Sequence, residues 1–211
     1  PAYFVPRNNS GSVSLTGQVT GPSGLTLDGS SYNTKNITVI LNNATPNPNN
    51  YRGPTTLTGT SASSTLQLGA ANQIPNGATA GNVVLNGGTL KLAGYNETIN
   101  GLTGAGTVDG TSGAPTLTLG DGDASGVTFS GTIKNTTGLL NLTKIGSGSQ
   151  ALSGVNTYGG NTTVTGGKLV GVTGGSCSNS TVFVEADAGQ IFSVKITDTT
   201  KQWTCAAMVV N

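Results

Sequence analysis

The sequence predicts an all-β chain of short strands wound as a solenoid with glycine and asparagine corners. Three observations predict it. Apolar residues alternate with Thr, Lys, Gln or Asn in runs of three to five, and a period of two puts the apolar members on one face of a sheet. Gly, Asn or Ser punctuates every gap, and no stretch has helical periodicity. Third, the chain resembles itself. Asn82-Val83-Val84-Leu85-Asn86-Gly87-Gly88-Thr89-Leu90 lines up with Asn161-Thr162-Thr163-Val164-Thr165-Gly166-Gly167-Lys168-Leu169, each a strand, a Gly-Gly corner and a second strand.

The strand-like runs follow in order. They are Val13-Ser14-Leu15, Leu25-Thr26-Leu27, Ile37 to Leu41, Thr65 to Leu68, Val83 to Leu85, Thr89 to Leu92, Thr116 to Leu119, Val127 to Phe129, Leu140 to Leu142, Thr162 to Val164 and Lys168 to Val170. The corners need glycine because a Cβ would forbid positive φ or crowd the bend. A sheet that turns every few residues wraps around its own apolar face, and stacked coils bury one continuous core. About 20 residues per coil gives about ten coils, and strands about 4.8 Å apart give a rod of about 50 Å. Three regions are expected: an N-terminal arm over 1–12, the repeat array over 13–175, and a disulfide-stapled end over 176–211.

Composition narrows the function. Gly, Thr, Asn and Ser make 108 of the 211 residues, charged residues make 8 %, and there is no His. Nine Lys and Arg stand singly among eight Asp and Glu, so there is no basic patch to displace counterions from nucleic acid. No apolar run is long enough for a membrane-spanning helix. The chain opens on Pro1, which reads as a processed product, and its apolar end, Met208-Val209-Val210-Asn211, reads as mid-strand in a longer precursor. Cys177 and Cys205 are expected to pair in an exported protein, closing a loop worth about 3–4 kcal/mol.

The segment from Leu142 to Leu169 is the most specific. It has Lys144-x-Gly146-x-Gly148, then Leu152-Ser153-Gly154, Asn156-x-Tyr158-x-Gly160, Thr162-Thr163-Val164 and Gly166-Gly167-x-Leu169. It closely resembles the autotransporter-associated β-strand repeat of bacterial passenger regions. Gly87-Gly88-Thr89-Leu90 and Thr118 to Asp123 look like degenerate copies, and residues 1–60 match in composition only. The resemblance implies a right-handed parallel β-solenoid at a bacterial cell surface, and it brings no catalytic residues. No membrane barrel is visible in the chain, so any translocator is expected to have been removed.

Asp109, Asp121 and Asp123 are the carboxylates closest in sequence, but Gly120, Gly122 and Gly126 mark a turn there rather than a sugar cleft. No cofactor is expected. A metal site is not expected either; Asp121 and Asp123 are the weak candidates, in a single Gly-Asp-Gly-Asp copy. Asn-x-Ser/Thr sequons at Asn8, Asn36, Asn43, Asn96, Asn135, Asn161 and Asn179 are glycosylation candidates, and Asn141 carries an eighth. Aromatic residues gather at the ends, where solenoids expose strand edges. Tyr3, Phe4, Val5, Phe183, Phe192 and Trp203 are expected to cap those ends or to contact another subunit. The chain therefore reads as a non-catalytic, extracellular structural protein that polymerises head to tail into a fibre. An autotransporter-type adhesin binding glycans or surfaces is the alternative.

Overall fold

The computed structural model describes residues 2–4, 11–29, 36–43, 48–59, 64–184, 191–195 and 203–210. Every strand pair among them is parallel, and the strands stack into three long sheets. The architecture is an all-β parallel solenoid. No described helix is long and apolar enough to cross a membrane.

The first sheet runs through Ala2–Phe4, Leu25–Asp28, Thr55–Thr58, Val83–Leu85, Leu102–Gly104, Val127–Phe129, Ser149–Leu152, Lys168–Val172 and Ile191–Lys195. These nine strands mark nine rungs, and successive starts are 19 to 30 residues apart. Instead of ten coils of about 20 residues, the described residues form nine of variable length, because the segments after Leu41 and Leu68 are long. The second sheet holds Gly11–Leu15, Ile37–Leu41, Ser64–Leu68, Thr89–Lys91, Thr107–Gly110 and Thr132–Asn135. The third begins only at the fourth rung, with Glu97–Ile99, Thr116–Leu119, Asn141–Lys144, Thr162–Val164 and Ser176–Val184. Ser176–Val184 turns a corner: its first residues pair with Val155–Asn156 and its last with Thr162–Val164. The described array therefore continues past residue 175.

Alternation decides which side chains enter the core. Val39, Leu66, Leu90, Val108 and Ile133 stack in register inside the second sheet, and Leu27, Leu57 and Leu85 inside the first. All eight are fully buried, each worth about 1.5–3 kcal/mol. On the opposite face Thr38, Thr65, Thr89, Thr107 and Thr132 form one ladder, and Thr98, Thr118, Thr143 and Thr163 form another on the third sheet. β-Branched Thr suits an outward strand position.

Glycine is explained by space between rungs more than by dihedral freedom. Gly59, Gly87, Gly106, Gly131 and Gly154 stack where the chain leaves the first sheet. A Cβ on Gly131 would stand 2.0 Å from the Gly106 carbonyl oxygen, and one on Gly154 1.8 Å from that of Gly131. Neither has positive φ, so the obstacle is backbone that cannot rotate away. Gly154→Ala is expected to destabilise the chain by about 2–3 kcal/mol through overpacking. Gly17, with nothing within 4 Å of its Cβ position, supplies the control. Equal melting temperatures for Gly154→Ala and Gly17→Ala would discard this account.

Two expectations change. Residues 2–4 are not a free arm: Ala2, Tyr3 and Phe4 pair with Leu25, Thr26 and Leu27 of the same chain as the first strand of a sheet. Val5 lies outside the described residues. Cys177 and Cys205 are ladder partners on neighbouring strands, yet both are free thiols and no disulfide joins them. Phe192 and Trp203 pack on each other, with ring centroids 5.1 Å apart, and on the chain's own core. Gly171 leaves room for the Trp203 ring, which a Cβ there would approach to 2.6 Å. These two aromatics pack within the chain, while Phe183 takes an outward position in register with Thr163.

Candidate functional site

The polar residues of the repeat hold rungs together. Asn156 is fully buried in the seventh rung. Its Oδ1 accepts from the Ile133 N–H of the rung before (2.8 Å), and its Nδ2 donates to the Ser176 carbonyl of the rung after (2.9 Å). Tyr158 shares a 2.6 Å hydrogen bond with Thr162 Oγ1, which in turn bonds Ser180 Oγ at 2.8 Å. Burial pushes the Tyr158 phenol well up from its ordinary pKa. The neighbouring Cys177 thiol is likewise pushed up by burial, to about 12, so it is not an activated nucleophile. Lys144 stands in a core column between Leu119 and Val164. Its stem is buried and its ammonium donates to the carbonyls of Ile145, Gly146 and Gly166 at a corner. Burial lowers its pKa, and Asp123 opposes that shift.

The same constellation recurs where the sequence showed only composition. Asn49-x-Tyr51-x-Gly53-x-Thr55-Thr56 repeats the spacing of Asn156-x-Tyr158-x-Gly160-x-Thr162-Thr163. Tyr51 OH and Thr55 Oγ1 are 2.7 Å apart. Asn49 Oδ1 accepts from Val19 N–H of the rung before, and its Nδ2 donates to the Gln73 carbonyl of the rung after, both at 2.8 Å. This second copy sits on a different side of the solenoid and precedes a first-sheet strand. Its signal was present in the spacing of five residues.

Among the described residues, the first three rungs have no third-sheet strand. In its place run coil segments around 16–24, 48–54 and 69–82, with Pro22, Pro48, Pro54 and Pro75, none of which can donate to a ladder. Buried side chains supply the missing hydrogen bonds. Gln73 Oε1 accepts from Asn43 N–H at 2.8 Å, and Gln73 Nε2 returns a bond to the Asn43 carbonyl at 3.2 Å. The Glu97 carboxyl accepts from Gln73 N–H at 2.8 Å and Ile74 N–H at 3.1 Å. Glu97 is fully buried, and burial pushes its pKa up to about 8 against the pull of those two N–H groups. Over this frame lies a groove of about 510 Å³ lined by Asn50, Asn72, Ile74, Asn76, Thr79 and Asp121 among others. A second depression of about 410 Å³, beside Arg52, shares Asn50 and Thr79 with it.

The residues singled out by sequence scatter. Asp123 Oδ1 accepts from Ser147 N–H at 2.6 Å, which holds its carboxyl below the usual range. Asp121 instead lies exposed at the groove, over Gly77. Asp109 is tied to Thr136 and lies 3.5 Å from Lys134 Nζ. No group of three His, Cys, Asp or Glu that could hold a metal occurs among the described residues. Of the sequons, Asn43 is buried and its Nδ2 is turned toward Asn49, which leaves no room for a glycan. Asn135 accepts from Gly159 N–H, while Asn36, Asn96, Asn161 and Asn179 are exposed. Asn8 lies outside the described residues. Glu97, Gln150 and Lys144, the buried polar groups that the geometry brings forward, were not foreseen as such.

Residues 142–170, the stretch holding Lys144, Asn156 and Tyr158, match the family model of the passenger-associated-transport-repeat. The chain carries the autotransporter-associated β-strand repeat. This passenger-type chain is also 34 % identical over 178 residues to the adhesin BmaC autotransporter of Brucella suis biovar 1 (strain 1330). That alignment covers 79 % of the chain and only 5 % of the adhesin's length. No solved structure matches it.

Proposed function

We propose that the chain is a non-catalytic rod segment of an extracellular adhesin passenger, displayed at a bacterial surface and binding through its sides. The observation that carries this is the 34 % identity to an autotransporter adhesin over 79 % of the chain. The fold supports it: stacked rungs give a stiff spacer with long lateral faces, and most buried polar groups are spent on joining rungs. Exposed Asn96, Asn161 and Asn179 would keep any glycans on those sides. The test is adherence of beads coated with the chain to cultured epithelial cells. Several-fold more beads should bind than with a solenoid of unrelated sequence, and equal binding would remove the adhesin reading.

A second reading, end-to-end assembly into a fibre, draws on apolar side chains left exposed on strands. Met208 and Val210 are 50 % and 70 % exposed, and Ile191 is 49 % exposed. Exposed apolar side chains on strands offer contact surface to a second copy. Rods of constant width that lengthen with concentration under the electron microscope would support it. A strictly monomeric species at high concentration would exclude it.

A further inference from the structure

Many asparagines of this solenoid serve the fold. Asn49, Asn82, Asn96, Asn135, Asn141 and Asn156 each accept a backbone N–H from an adjacent rung. Exposed asparagines without such a bond also occur, as at Asn86. What sets the groove apart is their gathering. Asn50, Arg52, Asn72, Thr79 and Asp121 are exposed, and their side chains hydrogen-bond nothing among the described residues. Five open polar side chains surround adjoining depressions, where one ligand can meet them together.

The lining describes that partner. Amide and hydroxyl groups offer donors and acceptors side by side, the arrangement that neighbouring sugar hydroxyls need. Arg52 and Asp121 bring opposite charges, so the groove has no net charge to select an anion. Pro48 and Pro75 supply apolar surface for the C–H face of a ring. Two depressions of about 510 and 410 Å³ that share Asn50 and Thr79 suit an extended ligand better than a single ring. The floor is preformed, because Glu97 fixes the backbone of Gln73 and Ile74 and Asn49 joins the rungs.

We propose that the groove along the strand-free side of the first three rungs binds an uncharged oligosaccharide, with Asn50, Asn72 and Thr79 as its hydrogen-bonding residues. The proposal rests on the adhesin reading and gives it a ligand class. The experiment uses the whole chain on an array of neutral and sialylated mammalian oligosaccharides, together with Asn50→Ala/Asn72→Ala and, as a control, Asn86→Ala on another side. The expected result is retention of neutral oligosaccharides, lowered at least tenfold in the double variant, unchanged in Asn86→Ala and in 0.5 M salt, with equal melting temperatures for all three. No retention, retention of sialylated sugars only, or equal retention by the double variant overturns it. The same proteins on beads separate the two ideas. Wild-type and double-variant beads adhering equally would end the groove proposal and leave the adhesin reading standing. Wild-type beads that do not adhere would end the adhesin reading itself.

Discussion

Gln150→Leu is expected to destabilise the chain by about 4 kcal/mol, although it replaces a polar core residue with an apolar one of similar size. Gln150 is buried in the seventh rung, in register with Val127 and Leu169. The sixth-rung strand Val127–Phe129 meets the fifth rung only through Phe129 and Gly104, so the ladder is open above Leu102. Gln150 reaches across that gap. Its Oε1 accepts from Leu102 N–H at 3.0 Å, and its Nε2 donates to the Leu102 carbonyl at 2.9 Å and the Ala151 carbonyl at 3.0 Å. The side-chain amide thus stands in for the strand that is missing. Leucine would fill the volume and leave the N–H and C=O of Leu102 buried and unpaired, at about 1–3 kcal/mol each. Chemical denaturation gives the total, and hydrogen exchange at the Leu102 amide should accelerate selectively. A Gln150→Leu protein as stable as the parent, with a protected Leu102 amide, would show that the amide has no such part.

That residue also shows how far the sequence was legible. Strands with two inward aliphatics, such as Leu25-Thr26-Leu27 and Thr116-Leu117-Thr118-Leu119, declare themselves by alternation, although Ser176–Val184, with Val182 and Val184 inward, is absent from the expected runs. Strands such as Glu97–Ile99 and Thr107–Gly110 did not, because one of their inward positions is polar or glycine. Parallel stacking makes such substitutions tolerable: a buried Gln or Asn can bond the rung above or below, where a sandwich core offers no backbone within reach. The repeat between Leu142 and Leu169 was visible because all its parts lie in sequence. The copy at Asn49 to Thr56 was hidden by Arg52 and Pro54 in the places of Gly159 and Asn161, and by lying on another side of the coil. The groove was invisible for a further reason. It exists because three strands are absent, and loops around 16–24, 48–54 and 69–82 come together only once the rungs stack.

Glu97 makes the largest pH-dependent contribution expected of this chain. Its carboxyl is buried beneath the groove with two backbone N–H donors and no cation among its partners, and its folded pKa is raised from 4.5 to about 8. A raised folded pKa means that the folded state holds a proton the unfolded state has released. The stabilising contribution is complete below about pH 4.5 and is lost as pH rises through about 8. The loss over that window is on the order of 4 kcal/mol, or about 10 °C in melting temperature for a chain of this size. Asp123 is shifted downward and acts below pH 4, Cys177 acts above pH 9, and Lys144, lowered by burial, acts below pH 10.5. The difference between the parent and Glu97→Gln melting curves from pH 5 to pH 8 therefore isolates Glu97. The parent should lose stability steadily across that interval. Glu97→Gln, which turns an amide NH2 against one of the two N–H donors, should start about 1–2 kcal/mol lower and stay flat. A parent whose melting temperature rises or holds from pH 5 to pH 8 would mean that Glu97 is ionised in the fold. The frame beneath the groove would then be held by a buried carboxylate whose charge is sustained by the backbone N–H groups of Gln73, Ile74 and Thr98.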